Sequence, residues 1–153
     1  MRIYVASSWR NARQPAVVNA LREAGHSVYD FRNPDHGGHG FAWSDIDRNW
    51  QTWNVTEFVS ALHHPIAKAG FASDFEAMQG ADGFVLVLPC GRSAHLEAGY
   101  AVGANKPLFI LQEGAMEPEL MYAMTYPVNG GIYESLESMI DAVNLVAVLE
   151  SEP

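Results

Sequence analysis

Apolar and polar positions along the chain switch repeatedly between two periods. Residues 2–7, RIYVAS, are a short β-branched and aromatic run that breaks into the polar stretch SWRNARQ. That pattern predicts a first strand ending in a loop. Residues 15–25, PAVVNALREAG, repeat their apolar positions at helical spacing, with Pro15 suited to a first helical position and Gly25 to the residue past the end. HSVYDF (26–31) reads as a second strand. Residues 32–54 then lose the rhythm, mixing glycine, proline and histidine with Trp43, Trp50 and Trp53. A stretch of that length in a compact domain reads as a lid or binding segment.

Inside it, Ser44 with Asp47 and Asn54 with Glu57 have the spacing of capping pairs, so short helices are expected to start at both places. Residues 65–81 carry helical periodicity and close on Gly80. GFVLVLP (83–89) is a continuous apolar run, as a central parallel strand covered on both faces requires. A helix over 93–106, a strand over 107–112, a short helix over 117–124 and a final helix over 135–149 follow. Strands alternating with helices imply an α/β fold: a doubly wound, mostly parallel five-stranded sheet with helices on both faces, flavodoxin-like or Rossmann-like. No repeat or linker interrupts residues 1–153, so one domain is expected. In such sheets ligands bind beyond the carboxyl ends of the strands, which directs attention to the loops after Ala6, Phe31 and Leu88.

Charge narrows the partners. Eighteen acidic and nine basic residues give a net charge of −9, which disfavours nucleic acid polymers and acidic membrane surfaces. The only cysteine is Cys90, which excludes an intrachain disulfide and fits a reducing compartment. With no secretory signal or apolar span in the pattern, a cytoplasmic protein is expected.

Two carboxylates stand out. Glu97 falls between apolar neighbours and glycine where a strand gives way to a helix. A position near the helix start is expected to keep it ionised at neutral pH, as a nucleophile requires. Taken alone, it also reads as a glutamate stabilising its own helix. Asp74, one helix segment before the central strand, could reach over the same cleft, or could be a solvated helix position. A pair of carboxylates meeting in one cleft is the arrangement of glycoside chemistry, in which one attacks the anomeric carbon and the other handles the leaving group's proton.

Three stretches, IYVASSWRNARQ, DFEAMQGADGFVLVL and HLEAGYAVGANKP, together resemble the motifs of the nucleoside 2-deoxyribosyltransferases and their relatives, the deoxynucleoside monophosphate N-glycosidases. The resemblance runs from the first strand to about Leu111. It implies that Glu97 forms a glycosyl ester with C1′ of the sugar, that Asp74 contacts the base and assists protonation of its departing nitrogen, and that the Tyr4 hydroxyl orients Glu97. It further implies a small nucleoside or nucleotide as substrate, no metal and no organic cofactor. Homodimers or larger assemblies are implied too, in which a neighbour completes each site. Met121 and Tyr122, expected to be exposed, are the candidate donors.

The chain departs from that family at the 5′ end of the substrate. Where the transferases typically carry an aspartate, six residues before the glutamate, stands Gly91, with Ser93 two residues on. Gly91, Arg92 and Ser93 at a helix start, with Ser8, Arg10 and Arg13 from the adjacent loop, are candidates to hold a 5′-hydroxyl or a 5′-phosphate, and Ser7 and Trp9 of the same loop are candidate substrate contacts. Phe31 and Asn33 follow the second strand. Phe41, Trp43, Trp50 and Trp53 are candidates for a lid that stacks on the base, or for simple packing on the core.

Other readings stay open at this point. Asp35, His36, His39, His63 and His64 are metal-ligand types whose spacing matches no strong pattern. Cys90 with His95 is a conceivable nucleophilic pair. A non-catalytic nucleotide sensor and an NAD glycohydrolase are the competing functional classes.

Overall fold

The computed structural model of the protein describes residues 1–34 and 38–151. Strands β1 (Arg2–Ala6), β2 (Ser27–Tyr29), β3 (Gly83–Val87), β4 (Leu108–Leu111) and β5 (Gly131–Tyr133) form one sheet in the order β2-β1-β3-β4-β5. Every neighbouring pair is parallel, so the doubly wound α/β expectation holds and the sheet is wholly parallel. Helices α1 (Gln14–Glu23), α2 (Val55–Leu62), α3 (Pro65–Gly80) and α4 (Arg92–Gly103) lie in the connections between strands, and α5 (Leu136–Ser151) follows the last strand. Among the described residues no helix is long and apolar enough to cross a membrane.

All five residues of β3 are buried, because alternate side chains leave opposite faces of a strand and both faces are covered here. Val85 and Val87 join Ile3, Val5, Phe109 and Leu111 under Val17, Val18 and Leu21 of α1 and Met139 and Val143 of α5. Phe84 and Leu86 join Tyr4, Ala6, Leu108 and Ile110 under Met78 of α3 and Ala94, Ala98 and Ala101 of α4. The chain leaves β1 for β2 on one side and returns past it to β3 on the other. Strand order therefore reverses between β1 and β3, and their carboxyl ends flank the crevice that such a reversal opens.

Several local expectations need adjusting. The Asn54–Glu57 capping box forms, with Asn54 N–H donating to Glu57 at 2.8 Å and Glu57 N–H donating to Asn54 at 3.0 Å. Ser44 caps nothing: a short 3-10 turn starts at Trp43 behind Ala42. Asp47 instead accepts from Asn49 N–H at 2.8 Å and Trp53 Nε1–H at 2.7 Å. The short helix expected over 117–124 is a 3-10 helix, Leu120–Val128, that runs on through Pro127. Its buried residues, Thr125 and Val128, lie three apart, matching the three-residue turn of that helix. β5 was not placed by the apolar pattern, being only three residues long. Before it, Gly130 lies so close to Leu108 that any Cβ would meet the Leu108 carbonyl.

Candidate active site

On α4 the buried residues Ala94, Ala98 and Ala101 share one face, and Glu97 falls in the same stripe. Alanine lets the helix lie close to β1 and β3, so the longer Glu97 side chain extends toward the buried ring of Tyr4. On α3 the buried positions are Ala67 and Met78, and Asp74 lies one turn before Met78 in that inward stripe. Asp74 and Glu97 are both half-buried. The charge of Asp74 acts on Glu97, and Tyr4 feels both carboxylates.

Burial, and secondarily the charge of Asp74, push the Glu97 carboxyl up to about 7, against a weaker opposing pull from the Tyr4 hydroxyl. The expectation of a glutamate ionised by its helix is thus corrected. Glu97 is the sixth residue of α4, beyond the first turn where the helix dipole acts, and desolvation dominates. Burial also raises Asp74, while a hydrogen bond from Tyr29 opposes the rise. The Tyr4 phenol is pushed well above its ordinary value, by burial first and by Glu97 and Asp74 next. Its hydroxyl is fully buried and has no partner at good hydrogen-bond geometry; Glu97 is the carboxylate that interacts with it more strongly.

The loops after β1 and β3 are stitched together. Ser7 Oγ donates to the Val87 carbonyl at 2.9 Å, and Asn11 Nδ2 donates to the carbonyls of Val87 and Pro89 at 3.2 Å each. Ser8 Oγ accepts from Arg10 N–H at 3.1 Å. Arg32 donates to the carbonyls of Ser8, Trp9 and Asn11 while its guanidinium lies over the rings of Trp9 and Phe31, which meet edge to face at 5.3 Å. The Asn33 amide donates to Asp30 at 2.9 Å. Arg13 is not a free charge for the cleft: it forms a two-point ion pair with Glu113 at 2.7 and 2.8 Å. Gly91, Arg92 and Ser93 are exposed at the start of α4.

Phe41 packs against the bare backbone of Gly70, one turn before Asp74 on α3, where any Cβ would collide with the ring. Phe41 meets Trp43 edge-on at 4.7 Å, and Trp43 meets Trp53 at 5.6 Å and Phe58 at 5.8 Å. Phe58 thus joins the cluster, whereas Trp50 is exposed. The aromatic segment is placed beside the Asp74 helix by that packing.

Met121 is exposed as expected, but Tyr122 is half-buried against its own chain: its hydroxyl lies 2.8 Å from His95 Nε2 and the two rings stack. His95 Nδ1 lies 2.9 Å from the Gly91 carbonyl, which can only accept, so Nδ1 carries a proton and Nε2 is the nitrogen that meets the Tyr122 hydroxyl. Nδ1 is also the nitrogen facing the Cys90 sulfur, at 3.6 Å. It cannot then take the thiol's proton, and burial with the charge of Glu97 pushes that thiol up to about 11. The Cys90–His95 pair is therefore not an activated nucleophile. Among the described residues no three metal-ligating side chains gather; Asp35 and His36 lie outside them. A cavity of about 580 Å³ opens on the other flank of α4, between Ala98, Val102, Met121 and Met124. Neither Glu97 nor Asp74 lines it.

No family model matches the chain, and no curated protein matches it in sequence. Solved structures do resemble it. A CMP N-glycosidase from Clostridium botulinum superposes with a TM-score of 0.50 at 14% identity, over 94% of this chain and 99% of that one. A 2-deoxyribosyltransferase from Bacillus psychrosaccharolyticus gives 0.59 at 19% identity, over 92% and 91%. A conserved protein from Enterococcus faecalis V583 gives 0.59 at 12% identity, over 95% and 98%. At such identities the likeness establishes a shared fold.

Proposed function

We propose that the protein is a member of the nucleoside 2-deoxyribosyltransferase and N-glycosidase group, and that it cleaves or transfers the N-glycosidic bond of 2′-deoxynucleosides or their 5′-monophosphates. The observation that carries this reading is the meeting of Glu97, Asp74 and Tyr4 on one face of the sheet, beside the reversal in strand order. Two of the structural neighbours, a glycosidase of CMP and a deoxyribosyltransferase, support the same chemistry.

The Glu97 carboxylate attacks C1′ as the C1′–N bond breaks, and the bond's electron pair leaves with the base. Asp74 gives its proton to the departing nitrogen. Water or a second base then takes the sugar from Glu97, and the proton of the incoming group returns to Asp74. Burial and the charge of Asp74 push Glu97 up to about 7, so the pair holds its last proton chiefly on Glu97, and the reactive form is the arrangement in which that proton has moved to Asp74 and left Glu97 ionised. Ser7, Ser8, Trp9, Arg10, Gly91, Arg92 and Ser93 border the 5′ end, Phe31 and Asn33 follow the second strand, and Phe41 and Trp43 stack near the base. Exposed Leu120, Met121, Met124 and Tyr126 favour a second copy of the chain completing each site.

The test is chromatography of bases released from a panel of deoxynucleosides and monophosphates, with and without an acceptor base, together with intact-protein mass. Release of base and a trapped deoxyribosyl adduct on Glu97 are expected. Binding without release would leave a nucleotide sensor instead.

A further inference from the structure

Tyr29 lies outside the residues assigned so far, yet it touches both halves of the site. On β2 it is the register partner of Tyr4 on β1, and the two rings stack at 5.4 Å with 14° between their planes. Its hydroxyl stands 2.8 Å from Asp74 Oδ1 and 2.9 Å from Ser73 Oγ. A phenol has one proton to give. A carboxylate oxygen only accepts, so that proton goes to Oδ1, and the Ser73 hydroxyl donates into the phenol oxygen. While Tyr29 donates to Oδ1, a proton carried by Asp74 sits on Oδ2.

We propose that Tyr29 is a positioning residue for Asp74: donating to Oδ1 from a ring pinned against Tyr4, it reserves Oδ2 as the oxygen that delivers the proton to the departing base. This deepens the glycosidic reading and rests on it for the nature of the leaving group. As the Oδ2–H bond breaks and the proton passes to the base nitrogen, negative charge appears on Asp74 and the Tyr29 bond becomes charge-assisted. The bond is thus stronger once the proton has left than before, so it speeds departure instead of merely holding the side chain. Ser73 acts through Tyr29, since a donor into the phenol oxygen makes the phenol a better donor in turn. The charged and titratable groups that also face this assembly are Glu97 from α4 and Tyr4 from β1.

The first experiment needs no turnover. Carbon-13 NMR follows the Asp74 carboxyl through a pH titration in the Glu97→Gln background, which removes the neighbouring titration. Tyr29→Phe is expected to move the Asp74 midpoint upward by about one unit, and Ser73→Ala to move it the same way by less. An unmoved midpoint in both overturns the proposal; if Tyr29→Phe fails to fold, Ser73→Ala alone decides it. The second experiment uses Tyr29→Phe with Glu97 intact. A fall in kcat of about 10–100-fold is expected for unactivated bases, with KM little changed, activated bases nearly spared and the alkaline limb of the rate profile displaced upward. Equal losses for good and poor leaving groups, on an undisplaced profile, would make Tyr29 merely structural. A wild-type protein that releases no base from any nucleoside defeats the glycosidic reading, and the titration still judges the hydrogen bond by itself.

Discussion

The two rims of the sheet treat their carboxylates in opposite ways. At the amino ends of the strands, Asp82 accepts from the Arg2 guanidinium at 2.7 and 3.2 Å and from Arg2 N–H at 2.7 Å. Its carboxyl is held below the ordinary range by those bonds. Close by, Lys106 Nζ donates to the carbonyls of Met78, Gln79 and Ala81, satisfying acceptors left at the end of α3. At the carboxyl ends, Glu97 and Asp74 interact with tyrosine hydroxyls, and both are raised. A guanidinium would neutralise a carboxylate permanently. A phenol orients it and leaves its charge available, so one rim contributes stability and the other, on the proposed function, is the reactive one.

Replacing the reactive pair should break this contrast most visibly. Glu97→Gln is expected to lower turnover by at least about 10⁴-fold, read as base released per hour. The same variant should be more stable than the parent at pH 8. Between 4.5 and about 7 native Glu97 holds a proton that the unfolded chain has released, so stability falls as pH rises through that window and the deficit is complete above it. Urea unfolding at pH 8 should show a gain of roughly 1–3 kcal/mol, and at pH 4 the gain should vanish. A destabilised Glu97→Gln at pH 8 would mean that the carboxylate is structurally paired after all.

Asp74→Asn comes next, with a loss of about 10²–10⁴-fold that shrinks for bases that leave easily. The pH profile of kcat/KM sharpens the point. If the singly protonated pair is the active form, the rate declines as pH rises past about 7, where the pair sheds its last proton. In Asp74→Asn that alkaline decline should disappear, and what activity remains should grow with pH as Glu97 ionises. The smallest effect belongs to the other rim. Lys106→Met should cost about 1–3 kcal/mol by denaturant unfolding through the carbonyls it strands, with turnover per folded molecule unchanged. A change in turnover would show that the two ends are not separable.

How far the residues announced this arrangement depended on the strength of their local signal. The β3–α4 unit was legible because a short apolar run bounded by Gly83 and Pro89 is too brief for a buried helix and fits a strand covered on both faces. Glu97 was legible as an acid between apolar neighbours and glycine at a strand-to-helix junction, and Asp74 as a carboxylate one helix segment before the central strand. Protonation was not, because it depends on desolvation by β1, α3 and α4 together, which no spacing encodes. Tyr29 was hidden for a related reason: a tyrosine on a strand usually fills core, and only the register with Tyr4 and the approach of α3 aim its hydroxyl at Asp74. Asn11 and Arg32 gave no motif, and their partners are main-chain carbonyls whose places exist only after folding. Asn54 capped as its pattern promised, whereas Ser44 did not, since the turn begins at Trp43 with Ala42 as its cap and puts Ser44 inside it.

The paired amide bonds from Asn11 into Val87 and Pro89 fasten the loops on either side of the crevice to each other. A graft that exchanged only the first loop for that of another protein would unfasten the second, so altered substrate choice should come from changing both together or from the separate aromatic flap between Phe41 and Phe58.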